Sequence, residues 1–177
     1  MFDPTAYENI RVVIEGAVYD RDLSGEILVI DRNDWFNAAK MSRKYEITFS
    51  LTGNFPSRFS GSITIEAGIE NLAAELMETG NASQLAGCIV KIHFLIEHPD
   101  EPSVFGEIQE ILESVWGRER VIEQTVQSSP FANNTLVKNA VTVSFNRLVY
   151  EHQIEDLAGM IDYMIMSLEK LHEAITI

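Results

Sequence analysis

"KYEITFSL", residues 44–51, alternates without a break. Tyr45, Ile47, Phe49 and Leu51 fall on one side, Lys44, Glu46, Thr48 and Ser50 on the other. A period of two belongs to a strand buried on one face and wet on the other. "RFSGSITIE", 58–66, repeats the pattern with Phe59, Ile63 and Ile65, and Gly53 and Asn54 lie between the two stretches. Turn formers between alternating runs predict an antiparallel hairpin. Farther along, "CIVKIHFLIE" aligns Cys88, Val90, Ile92, Phe94 and Ile96, and "NAVTVSFNRLVY" aligns Val141, Val143, Phe145 and Val149. Such one-sided alternation predicts a sheet with a single covered face. "RVIEQTVQ" is a weaker strand and "GEILVID" a short one.

The covering layer is legible as helices. Ile69, Leu72, Ala73, Leu76 and Met77 form one stripe over 69–79, with Gly80 placed as a C-terminal cap. Phe105, Ile108, Ile111, Leu112 and Val115 do the same over 104–116, between Ser103 as N-cap and Gly117 as the stop. The last segment has the strongest pattern. Ile154, Leu157, Ile161, Met164, Leu168, Leu171 and Ile175 follow steps of three and four, a heptad seam. Met160, Tyr163 and Met166 lie off that seam, so this helix is apolar around more of its girth than one sheet contact requires.

The N-terminus reads less cleanly. Asp3-Pro4, and Thr5 three residues before Glu8, are helix-start signals, yet Ile10, Val12 and Ile14 alternate as a strand would. The expectation is a short helical turn, then a strand paired with "GEILVID". "NDWFNAAKMS", 33–42, is expected to be a loop with one helical turn capped by Asp34. Together these elements predict an α+β fold over a single domain, 1–177. Its sheet is mainly antiparallel and twisted, its helices pack on one face, and it has a long C-terminal helix.

One string recurs. "EAGIENLA" from Glu66 and "EHQIEDLA" from Glu151 match at an offset of 85, each after a β-branched stretch. A carboxylate in a first helical turn and apolar residues at i, i+3 and i+4 are what any strand-to-helix connection over a core selects. Convergence is therefore preferred to duplication. A pseudo-twofold relation between the two units would reverse that preference.

Composition bounds function. The 177 residues carry 13 basic and 27 acidic groups, a formal net charge of −14 shared by both halves of the chain. A nucleic-acid binder needs a basic footprint, and only Arg32, Lys40, Arg43, Lys44 and Arg58 form a locally basic run. That run reads as a solvated strand edge and loop. No stretch approaches the ~20 apolar residues of a membrane span. No nucleic-acid or membrane partner is expected. The single cysteine, Cys88, allows no internal disulfide and fits a reducing, cytoplasmic setting.

Chemistry-bearing motifs are sparse. "HFLIEH" spaces His93, Glu97 and His98 wrongly for a zinc helix, and strand geometry puts the two histidines on opposite faces. His152 and His172 read as packed or surface residues. Cys88 begins an apolar strand face and reads as a small buried hydrophobe. No nucleophile elbow and no phosphate-binding glycine loop occurs. No catalytic residue, cofactor or metal site is assigned. Two places could bind a partner. One is the hairpin tip with Phe55, Arg58 and Phe59, since aromatic and arginine side chains are enriched at hot spots. The other is the Met160, Tyr163 and Met166 side of the last helix, expected to meet a second copy while the seam packs on the sheet.

In element order and its long closing helix the chain resembles the secretion-chaperone fold, whose members are dimeric and acidic. No motif carries the likeness, and the helix over 104–116 departs from it, so no residue roles are transferred. The expected function is a non-catalytic interaction module, a chaperone-like homodimer that could also hold a protein partner. The alternative is a small-molecule-binding protein or hydrolase with a pocket between sheet and helices.

Overall fold

The computed structural model describes residues 5–53, 58–77, 84–131 and 135–175. The chain opens with an 18-residue helix, α1 (Ala6–Leu23), where a short turn and a strand were expected. Thr5 caps it by accepting the Glu8 N–H through its side chain at 3.3 Å. Tyr7, Ile10, Ile14 and Val18 are buried at helical spacing while Val12 faces solvent. Ile10 and Ile14 fit either period; the exposed Val12 shows that the helical one won. Arg11 pairs with Glu8 at 2.9 Å and Glu15 at 3.1 Å, the i,i+3 and i,i+4 ion pairs of a helix surface.

Among the described residues six strands follow: β1 (Ile27–Asn37), β2 (Ser42–Leu51), β3 (Phe59–Ala67), β4 (Cys88–Pro99), β5 (Val121–Gln127) and β6 (Leu136–Val149). They form one sheet in the order β1-β2-β3-β4-β6-β5, every neighbouring pair antiparallel. β1 corrects a second expectation. It runs on through Asn33, Asp34, Trp35 and Phe36 instead of ending in a loop. The turn comes only after Asn37, whose side-chain oxygen accepts from Ala39 N–H and Lys40 N–H, both at 3.1 Å. Asp34 caps no helical turn; it pairs across to Tyr45.

Between strands sit α2 (Ile69–Leu76) and α3 (Pro102–Trp116), and α4 (Ile154–Ile175) closes the sequence of elements. α3 starts two residues before the expected Val104, with Glu101 as N-cap and Pro102 at its first turn instead of a Ser103 cap. Its stop is the expected one: Gly117 has φ of 95°, a region that favours glycine. α2 ends at Leu76, short of the expected 79, and Gly80 lies outside the described residues. Its stripe meets the core only in part: Leu72 packs against it and Ala74 is buried, while Ile69, Leu76 and Met77 are exposed.

α1, α4 and α3 lie side by side on one face of the sheet, α4 in the middle and packed against both neighbours. The heptad seam of α4 meets the sheet, with Leu157, Ile161, Met164, Leu168 and Leu171 buried against the core of Ile47, Phe49, Ile63, Ile92 and Phe94. Gly61 lets α4 settle close. A Cβ there would already lie 3.4 Å from Leu168 Cδ1 and Met164 Cε. The wide apolar girth of α4 is thus largely explained within the chain, because a central helix has three sides to cover.

The two matching strings occupy different environments. β3 and β6 both flank β4 antiparallel to it, so they run in the same direction. No twofold axis normal to the sheet relates them. The aligned positions Leu76 and Ile161 are 84% and 0% exposed. Convergence stands.

Candidate interaction surfaces

β1 is an edge strand eleven residues long. Leu28, Ile30, Trp35 and Phe36 are 54%, 53%, 44% and 59% exposed along it, and Met41 in the following turn is exposed as well. A long, apolar strand edge is a template for pairing with another chain. Its middle is charged. Asp31, Arg32 and Asp34 sit between the two apolar ends, and the pairing with β2 shifts register between Val29 and Asp31, a bulge. On the helix side Arg32 donates to Glu15 at 2.6 Å, and Arg43 pairs with Asp34 at 3.2 Å and with Glu8. Burial works against the charge on Glu8, but hydrogen bonds from Arg43 and Arg11 outweigh it and hold the carboxylate below its ordinary range. Arg32 and Arg43 of the locally basic run are thereby paired with the chain's own acids. Sequence reasoning missed this surface because "NDWFN" reads as turn chemistry; the signal present was Trp-Phe inside an alternating, mostly polar stretch.

The last helix keeps part of its expected surface. Met160 is half-buried, Tyr163 is 50% exposed and Met166 41% exposed. Tyr163 lies 6.0 Å, centroid to centroid, from the Trp116 ring, whose other neighbour is Phe145 at 6.0 Å. Trp116 Nε1–H donates to Ser167 Oγ at 3.0 Å, and Ser167 donates to the Tyr163 carbonyl at 2.7 Å. An open groove of about 420 Å³ runs past Trp116, Phe145, Met160 and Tyr163. Its charged neighbours are Arg120, set 5.1 Å over the Phe145 ring, and Glu155 and Asp156. Met160 and Tyr163 share this groove with α3; Met166 does not line it. At the hairpin tip Phe55 lies outside the described residues. Phe59 is buried and meets the His172 ring edge-on at 5.6 Å, and Arg58 is half-buried in the turn.

The reactive side chains are held by packing. Cys88 is fully buried, and burial, reinforced by the Glu75 charge, pushes its thiol up to about 12. Thiol labelling of the native protein at neutral pH is expected to be many-fold slower than that of the unfolded chain; comparable rates would expose a reactive thiolate. His93 and His98 do face opposite sides of β4. His98 is buried under α3, with Nδ1 2.7 Å from the Pro99 carbonyl and Nε2 3.1 Å from Asn139 Nδ2. Asn139 continues to Gln124 Oε1 at 2.9 Å, and Gln124 Nε2 donates to the Phe105 carbonyl at 3.0 Å. This chain ties α3 to the sheet. No group of three metal-ligating side chains is placed to hold an ion among the described residues.

His93 lies on the open sheet face between two hydroxyls, Thr64 at 3.2 Å and Thr142 at 3.0 Å. Burial, with the charges of Lys44 and Lys91 and against that of Glu66, holds its imidazole below the ordinary value of about 6.5. The unfolded chain therefore takes up this proton first as pH falls. Stability from neutral His93 is full above the ordinary value and is lost as pH drops through the lower folded one. Wild type should lose more melting temperature between pH 7.5 and pH 5 than His93→Gln. Equal losses would remove His93 as a source of the acid sensitivity.

No helix among the described residues is long and apolar enough to cross a membrane. No protein-family model matches the chain, and neither a curated protein nor a solved structure matches it.

Proposed function

We propose that this chain is a non-catalytic protein-interaction module that acts as a homodimer in the cytoplasm, a chaperone-like role of the kind its element order resembles. One observation carries the reading: an eleven-residue edge strand that leaves four large apolar side chains exposed. Monomeric proteins shorten, cover or charge such edges, and this one is charged only at its centre. The acidic surface supports the reading by keeping a protein with such an edge soluble. Tyr163 and Met166 offer a second exposed surface on the helical side, available to a protein partner.

The test is the mass of the wild-type protein in solution, by light scattering coupled to size exclusion. A species of twice the 19.9 kDa chain at tens of micromolar, on the order of ordinary assay concentrations, is the expected result. A monomer across that range would overturn the homodimer.

A further inference from the structure

We infer that the homodimer forms by antiparallel pairing of β1 with β1 of a second copy, about a twofold axis at Asn33, making one continuous sheet of twelve strands. This inference rests on the homodimer reading above and assigns it a surface and a register. Edge-to-edge addition uses main-chain hydrogen bonds for affinity and side-chain pattern for choice of partner.

The strand's own charges select the register. Residues directly opposite in an antiparallel pair have side chains on the same face. A twofold centred on Arg32 sets that arginine against its copy, and one centred on Asp34 sets two carboxylates together. Like charges directly opposite are unfavourable. Centring on Asn33 instead places Arg32 opposite Asp34 of the other copy, twice. The register of β1 on β2 shows these residues on one face, since Arg32 faces Ile47 and Asp34 faces Tyr45.

The apolar ends then meet as well. Trp35 comes opposite the Ile30–Asp31 bulge, and Phe36 comes opposite Val29. The bulge keeps these matches on common faces: Val29 and Phe36 share the helix side, paired in the chain with Phe49 and Arg43. In a single copy, Asp31 accepts the Arg32 N–H at 2.9 Å and Asp22 accepts the Val29 N–H at 3.0 Å. Asp31 is exposed and can swing aside when a second strand arrives. The central charges that blunt this edge toward other strands thus fit a second copy of it.

Two variant sets test the register. In a Cys88→Ala background, Asn33→Cys should cross-link to a covalent dimer under mild oxidation, because opposed residues lie about 4.5–5.5 Å apart at Cα, within disulfide reach. Asp31→Cys and Trp35→Cys should each fail alone, since each is displaced by four residues from its own copy, and should cross-link when mixed. Arg32→Asp and Asp34→Arg should each weaken dimerisation at least tenfold, and the double swap should restore it. Circular dichroism of each variant separates lost association from lost folding. A wild-type monomer would overturn the homodimer and this register together. A wild-type dimer that neither cross-links at residue 33 nor responds to the charge reversals would overturn the register alone and move the interface elsewhere.

Discussion

Leu168→Ala is expected to lower the free energy of unfolding by about 2–5 kcal/mol. Leu168 is fully buried in the middle of the seam, and its Cδ1 reaches the backbone of β3 at Gly61. Alanine removes the side-chain carbons that fill the space left by that glycine. Gly61 has no side chain to move into the hole, so closing it from the sheet side requires a shift of the neighbouring Phe94 ring. Urea unfolding should show a lower midpoint with an unchanged slope. Leu168→Met, which conserves volume, should cost less than about 1.5 kcal/mol. If alanine proved no worse than methionine, α4 would not be packed on β3 as described.

The second large effect belongs to Trp116. Trp116→Ala is expected to cost about 3–5 kcal/mol, the range for an aromatic removed from a core. Its ring is almost wholly buried between Phe145 and Tyr163, and its indole N–H holds Ser167. Trp116→Phe keeps most of the ring and should cost about 1 kcal/mol, because Ser167 retains its bond to the Tyr163 carbonyl. Fluorescence reports the same site. The chain has two tryptophans, and Trp35 is the exposed one. Trp116→Phe should therefore leave only red-shifted emission, which should shift to the blue on dimerisation if β1 pairs as inferred.

The sheet could be read from the sequence where one face is buried. Tyr45, Ile47, Phe49 and Leu51 alternate because polar residues on the other side stay wet, and all four are core residues of β2. The seam of α4 was legible for the same reason. Reading failed where local chemistry and packing disagree. Ile10 and Ile14 satisfy two periods at once, and only contact with the sheet, made by one face of α1, decides between them. The first part of β1 was read as the short strand "GEILVID"; its second part, through Asn33–Asn37, was hidden because residues of an edge strand need not alternate in burial. Phe36 lies on the helix-side face and is still exposed. The Trp116 groove joins α3, the end of β6 and α4, distant in sequence, so no local pattern announces it. Met160 and Tyr163 were picked out as leftover apolar surface, and α3 proves to cover part of it.

The strand order has a consequence for how the molecule comes into being. β5 pairs with β6 alone, so it is synthesised before the neighbour that holds it to the sheet. α4, the central cover of the sheet, is made after all six strands. At about 5–20 residues per second, its 22 residues take roughly one to four seconds to synthesise. Throughout that interval the nascent chain carries Phe49, Ile63, Ile92 and Phe94 without the helix that shields them. Folding of this sheet to its native state is thus postponed until α4 has been made, and its pace is set by long-range strand pairing. Until then the growing polypeptide depends on its negative charge, and on whatever meets it at the ribosome, to stay apart from its neighbours.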